Sequence, residues 1–415
     1  MKKLKNKAIF CALIITLPLV ISYNREEGKK FNKINVFAEE TTKNQEFDSV
    51  FLEKTTENPL KLSAKSAFVY EPTSETVVYA YNETDRLPIA SMCKIMTLLL
   101  CFDEIKCGNL YFDEEISVSE KAASMGGSQV FLEANAKYPV KELIKSIAVC
   151  SANDSCVAMA ERIAGSENVF VDKMNDKAKS LGANDTLFAN CTGLPKEPQY
   201  SCAKDVAIML KALINHKDYY QFGQVWMDKF QHPKGRITEI SNTNKLVKFY
   251  DGCDGGKTGF TNQAGFCLAA TAKRNDVRVI SVVIGEKDSK TRFNDVRAMF
   301  DYTFANYLSK TVIDCKNSLD ETVRVLGGKK KEISVRAIRD SKIFSKRGVD
   351  EDYSIQTFYK KDLKAPLKYG DEVGELIVFK NGVEFDRVAL IANESVEKAS
   401  IFDRFKDVAK GWFIK

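Results

Sequence analysis

Apolar positions change their period several times along this chain, and each change marks an element. Residues 66–70 (Ser66-Ala67-Phe68-Val69-Tyr70) and 76–80 (Thr76-Val77-Val78-Tyr79-Ala80) flank a polar turn at 71–75, the pattern of a hairpin. Residues 92–105 are apolar almost all round, which suits a helix buried in the middle of a domain, and Pro88 marks its entry. A second helical stretch, 140–163, is interrupted at Ser151-Ala152-Asn153. Residues 266–272 and 277–284 read as adjacent strands joined by a turn at Arg274-Asn275-Asp276. An early hairpin, intervening helices and late strands together predict an antiparallel sheet with a helical cluster, an α+β arrangement.

A boundary falls near 315–320. Beyond it come short alternating runs at 333–338, 353–358 and 376–379, then Asn381-Gly382, a type I′ hairpin signal, and a run over 383–391. This predicts a small all-β domain. The last segment changes again: Ile401, Phe402, Phe405, Val408, Ala409, Trp412 and Phe413 share one helical face, with Arg404, Lys406 and Lys410 on the other. Such a helix can dock on the β domain or lie in a bilayer interface. Its terminal position and its aromatics favour the membrane.

The N-terminus has the grammar of export. Lys2, Lys3, Lys5 and Lys7 precede an apolar run over 8–23, and Val36-Phe37-Ala38 offers a small-residue cleavage site. The expected organisation is therefore a secretory signal at 1–38 and a polar segment at 39–61. A first domain follows at 62–315, then a β-rich domain at 316–396 and an amphipathic membrane-anchor helix at 397–415.

Composition narrows the partners. A net charge of +6 over 415 residues, without a Lys/Arg block or aromatic-basic interleaving, argues against nucleic acid. There are 11 cysteines but only two histidines, His216 and His232, and no C-x-x-C, so no metal site is expected. Cys101, Cys150, Cys156 and Cys267 sit in apolar runs as small hydrophobes. An exported chain also permits disulfides, and that choice stays open.

The chemistry lies in three motifs in order: Ser91-Met92-Cys93-Lys94, Ser151-Ala152-Asn153 and Lys257-Thr258-Gly259. S-x-x-K recurs at Ser201 and Ser395, so conjunction carries the signal rather than the motif itself. A serine hydroxyl attacks only once a base takes its proton. On a helix Ser91 and Lys94 share a face, and lysine serves as a base when burial and a second cation, here Lys257, lower its pKa. Taken alone, 151–153 could be a helix N-cap, a role compatible with the chemistry, and Asp254-Gly255-Gly256-Lys257-Thr258-Gly259 an ordinary glycine turn. Before a strand, those glycines would open a sheet edge to which an extended peptide could pair.

With these motifs and their settings, Leu87-Pro88-Ile89-Ala90-Ser91 and Phe260-Thr261-Asn262-Gln263-Ala264-Gly265-Phe266, the chain resembles the serine D-alanyl-D-alanine carboxypeptidases, the low-molecular-mass penicillin-binding proteins. The stretches 188–195 and 200–205 agree. The resemblance implies a β-lactamase/transpeptidase-like fold and an acyl-enzyme on Ser91, with Lys94 as base. Ser151 would relay a proton to the leaving amine, and Asn153 would bond Lys94 and the substrate amide. Lys257, Thr258 and Gly259 would bind the substrate, whose terminal carboxylate Lys257 and Thr258 attract. The N–H groups of Ser91 and Phe260 would form the oxyanion hole, and Arg292 would help hold the carboxylate. The implied partners are peptidoglycan stem peptides ending in D-Ala-D-Ala, β-lactams as covalent inhibitors and the outer face of the bacterial membrane, with no cofactor. Cys93 stands where threonine is usual and Gln199 where histidine is common. Cys93 and Cys150 border the motifs, which suggests sensitivity to oxidation. The competing readings are a serine β-lactamase, with Glu197 in the interval where a deacylating base would lie, and a non-catalytic muropeptide-binding wall protein.

Overall fold

A computed structural model describes residues 60–403. The expected signal, nearly all of the polar 39–61 segment and the anchor helix beyond Asp403 lie outside the described residues. Among the described residues no helix is long and apolar enough to cross a membrane.

The chain opens with β1 (Ser66–Glu71) and β2 (Thr76–Tyr81), then α1 (Lys94–Lys106), β3 (Glu115–Ser117), α2 (Glu120–Ala123) and β4 (Lys137–Pro139). Helices α3 (Val140–Cys150), α4 (Asn153–Ala164), α5 (Glu167–Ser180), α6 (Ala203–Ile214) and α7 (Tyr220–Gly223) follow. Next come β5 (Met227–Gln231), β6 (Ile237–Ser241), α8 (Leu246–Phe249), β7 (Cys253–Thr261), β8 (Gly265–Arg274), β9 (Val277–Glu286) and α9 (Ser289–Asn306). The first five-stranded sheet has the order β2-β1-β9-β8-β7, wholly antiparallel, so the early hairpin closes on the late strands and β7 is left at an edge.

The period-two alternation of these strands divides their side chains between two cores. Phe68, Tyr70, Ile280, Val282 and Ile284 face the helical cluster, where α1 is buried at every residue from Lys94 to Phe102. Ala67, Val69, Val279 and Val283 face the other way, onto Val296, Met299 and Phe300 of α9. The sheet is thus covered on both sides, by more than the single helical cluster that the pattern predicts.

The interrupted helix over 140–163 is two helices. Ser151 takes a left-handed conformation (φ 67°) that ends α3, and α4 begins at Asn153. Residues 92–105 split differently from a single helix: Ala90–Cys93 is a 3-10 turn, and α1 starts at Lys94.

The β domain starts with β10 (Tyr307–Ile313), ahead of the boundary expected at 315, because α9 runs into that strand with no Gly or Pro between them. It continues with β11 (Ser318–Arg324), β12 (Glu332–Ala337), β13 (Ser341–Lys346), β14 (Tyr353–Tyr359), β15 (Glu372–Lys380) and β16 (Val383–Ala392). The second five-stranded sheet runs β11-β12-β16-β15-β14, and β10 pairs with β13. Asn381 and Gly382 both have positive φ, 51° and 78°, as a type I′ turn requires. The domain has its own core around Ile333, Val335, Leu376, Val378 and Leu390.

Candidate active site

The nucleophile candidate sits at a tightly held corner. In a 3-10 turn, residues i and i+3 eclipse, and Lys94 Nζ lies 3.1 Å from Ser91 Oγ. Ala90, just before Ser91, has φ 48°, and the Gly193 backbone presses against it: a Cβ built on Gly193 would meet Ala90 O at 2.0 Å. Lys94 is fully buried, and its ammonium nitrogen donates to Asn153 Oδ1 at 2.7 Å and to the Thr192 carbonyl at 2.5 Å.

The Ser151-Ala152-Asn153 corner forms the facing wall. No side chain caps α4 at Ala152, so the capping reading of this motif does not hold. Asn153 Nδ2 donates to Gly126 O at 2.7 Å, which fixes the amide orientation that offers Oδ1 to Lys94. Asp154 holds the same wall from behind, accepting from the N–H groups of Val130 and Leu132. Ser151 Oγ is buried and has no hydrogen-bond partner. A buried hydroxyl left unpartnered is costly and calls for an explanation, of which chemistry is one.

The third wall is the β7 edge. Lys257 is buried, its ammonium donates to Thr258 O at 3.2 Å, and burial together with the nearby Lys94 charge pushes its pKa down to about 7. Thr258 Oγ1 donates to Thr243 Oγ1 at 2.7 Å. A Cβ on Gly259 would meet Ile89 O at 2.5 Å, so this glycine lets β7 pass against the nucleophile turn. That close internal packing is one requirement the glycine meets here. Phe260 is exposed and packs against Phe266, the tilted rings 4.3 Å apart between centroids. Arg292 lies buried beneath the strand, donating to the carbonyls of Gly259 and Cys267 at 3.2 Å each. Burial lowers its pKa to about 10.

Several residues stay outside this cluster. The other two S-x-x-K lysines, Lys204 and Lys398, are exposed. His216 pairs with Asp103 at 3.0 Å, and His232 contacts Tyr138 and Thr238, so neither joins Ser91. Glu197 is exposed and accepts from Gln263 at 3.4 Å, not from Lys94 or Ser91. The cysteine expectation also changes. Cys93 is buried and its thiol is pushed well above the usual range, and Cys150 is raised to about 11, in both cases chiefly by burial. Neither is a ready thiolate, the form that oxidants attack. Among the described residues Cys107 is the exposed cysteine, and all ten cysteines there are free. Thr192, Thr243 and Gly193 had no signal in the sequence beyond the general likeness of 188–195.

Residues 53–288 match the D-alanyl-D-alanine carboxypeptidase family, and residues 307–398 match the C-terminal domain of penicillin-binding protein 5. The chain belongs to the D-alanyl-D-alanine carboxypeptidase family. It is 39% identical over 350 residues to the D-alanyl-D-alanine carboxypeptidase DacF of Bacillus subtilis, covering 84% of this chain and 90% of that one. Its structure resembles penicillin-binding protein 5 from Haemophilus influenzae, with a TM-score of 0.64 and 27% identity, over 82% of this chain and 99% of that one. It also resembles penicillin-binding protein D2 from Listeria monocytogenes in its ampicillin-bound form, with a TM-score of 0.53 and 29% identity, over 59% of this chain and 99% of that one. This carboxypeptidase is a serine peptidase of peptidoglycan maturation, and its β-rich C-terminal domain is that of its penicillin-binding relatives.

Proposed function

We propose that the carboxypeptidase works through an acyl-enzyme on Ser91, with Lys94 as the base. The observation that carries this is the environment of Lys94 Nζ, which has three neighbours: two carbonyl oxygens, on Asn153 and Thr192, and one hydroxyl, on Ser91. A neutral amine has two N–H donors and one lone pair. Once Lys94 has given up a proton, the two fixed acceptors hold its N–H groups and the lone pair is left for the Ser91 hydroxyl.

Ser91 Oγ attacks the carbonyl carbon of the penultimate D-alanine as its proton passes to Lys94. The N–H groups of Ser91 and Phe260 hold the oxyanion. When the C–N bond breaks, the unpartnered Ser151 hydroxyl relays the proton to the departing D-alanine amine. Water then hydrolyses the ester. Asn153 positions Lys94, and Lys257, Thr258 and Gly259 receive the stem peptide with its terminal carboxylate at Lys257. Arg292 supports that end of the strand through the Gly259 carbonyl. No metal or organic cofactor enters these steps.

β-Lactams, which mimic the same terminus, would acylate Ser91, as the ampicillin-bound relative suggests. A β-lactamase is the weaker reading, because the Glu197 carboxylate accepts from Gln263 rather than from Ser91 or Lys94. The N-terminal pattern supports export to the outer face of the cytoplasmic membrane, with residues 397–415 as the anchor. The test is intact-mass analysis after benzylpenicillin. A stable adduct that maps to Ser91 and is lost in Ser91→Ala supports the reading, and an adduct retained by that variant refutes it.

A further inference from the structure

The polarity of the bound peptide follows from the reading just given, and the next step rests on it. With the terminal carboxylate at Lys257 and the scissile carbonyl between Ser91 and Phe260, the stem continues toward its amino end along the free edge of β7. It runs past Thr261 to the turn into β8. Strand residues advance about 3.3 Å each, so the third stem residue, two before the terminal D-alanine, arrives beside that turn.

A narrow slot of about 20 Å3 opens there, between Pro88-Ile89-Ala90, the Gly193–Gln199 loop and Thr261. At its mouth Gln263 Nε2 donates to Glu197 Oε1 at 3.4 Å. The loop carrying Glu197 is tied down from inside: Gln199 Oε1 accepts from the N–H groups of Ala189 and Asn190, and Lys196 Nζ donates to Ala189 O at 3.0 Å. Lys196, the cation next in sequence, is thereby drawn away. Among the described residues Gln263 is the hydrogen-bond partner given to the Glu197 carboxylate, and no ion pair neutralises it.

An exposed carboxylate that no cation neutralises, held at the amino-terminal end of a peptide groove, suits a positively charged side chain. We propose that Glu197, oriented by Gln263, is a specificity-determining residue that favours stem peptides whose third residue carries a free side-chain ammonium. The pair would be solvent-exposed, so its effect is modest, up to about fivefold in kcat/KM.

The test compares Nα-acetyl-Lys-D-Ala-D-Ala with Nα,Nε-diacetyl-Lys-D-Ala-D-Ala, on the exported chain and on its Glu197→Gln and Glu197→Lys variants. The expected result is a preference for the free ammonium of up to about fivefold, falling toward one in Glu197→Gln and inverting in Glu197→Lys. Raised salt should shrink the preference of the unmodified chain. A ratio that survives in Glu197→Gln overturns the proposal, as does an equal loss on both peptides, which is the signature of a structural role. No release from either peptide by the unmodified chain would instead overturn the Ser91 reading, and this inference with it.

Discussion

Gly193→Ala puts the clamp on the proposed nucleophile, Ser91, to the test. Gly193 has φ +80°, and its Cβ would meet Ala90 O at 2.0 Å and Ser91 N at 2.9 Å, both backbone atoms that cannot rotate aside. The left-handed backbone costs a non-glycine residue about 1–2 kcal/mol, and forced overpacking adds about 1–3 kcal/mol. Gly182 supplies the control: it has φ +78° with nothing within 4 Å of its Cβ, so Gly182→Ala carries the backbone cost alone. The difference between the two variants is then the clash, about 2 kcal/mol or about 4–8 °C in Tm for a domain of this size. The function should suffer more than the fold, because displacing a nucleophile by about 1 Å costs about a hundredfold. Thermal melts and penicillin acylation rates on both variants decide the matter. If Gly193→Ala melts with Gly182→Ala and acylates within threefold of the unmodified chain, the loop does not set the position of Ser91.

Other outcomes follow from buried titrating groups. Lys257 is depressed to about 7 from its ordinary 10.5, so its charge opposes folding below pH 7 and that penalty fades as pH rises toward 10.5. Lys257→Met should therefore raise Tm at pH 6 and lose that gain by pH 10, and a gain independent of pH would contradict the account. Glu286 moves the other way, raised to about 7 from 4.5 by burial and by Asp295 beside it. The folded state then binds more protons than the unfolded one between pH 4.5 and 7, and stability falls across that window. Glu286→Gln, which mimics the neutral acid, should stabilise the chain more at pH 8 than at pH 4.5, and melts with the same offset at both pH values would refute this. Mild peroxide should oxidise the exposed Cys107 before Cys93 or Cys150 and leave D-alanine release intact, as read by peptide mapping beside the activity assay. A fall in activity that tracks Cys93 oxidation would overturn this ordering.

The Ser91–Lys94 contact was legible because those side-chain types stand three residues apart. The strands that are short apolar runs bounded by turn residues, such as 277–284, were legible for a similar local reason. What escaped is what depends on distant chain. Thr192 meets Lys94 across a separation of 98 residues and does so through a backbone carbonyl, for which any residue type would serve. Thr243 is an ordinary threonine until Thr258 reaches it. The burial of α9 against the second face of the sheet was hidden, because its buried residues Arg292, Val296, Met299, Phe300 and Thr303 mix polar with apolar types. The start of the β domain was missed because no turn residue announces β10. At 151–153 residue types that favour capping make a left-handed corner and the expected lysine contact, without a cap.

The central claim is that Ser91 is the nucleophile of a D-alanyl-D-alanine carboxypeptidase. Release of D-alanine from diacetyl-Lys-D-Ala-D-Ala, by the chain without residues 1–38 and by its Ser91→Ala variant, measures it most directly. The account predicts release by the first and none above background by the second, with both chains folded by thermal melt. Release that persists in Ser91→Ala would contradict it.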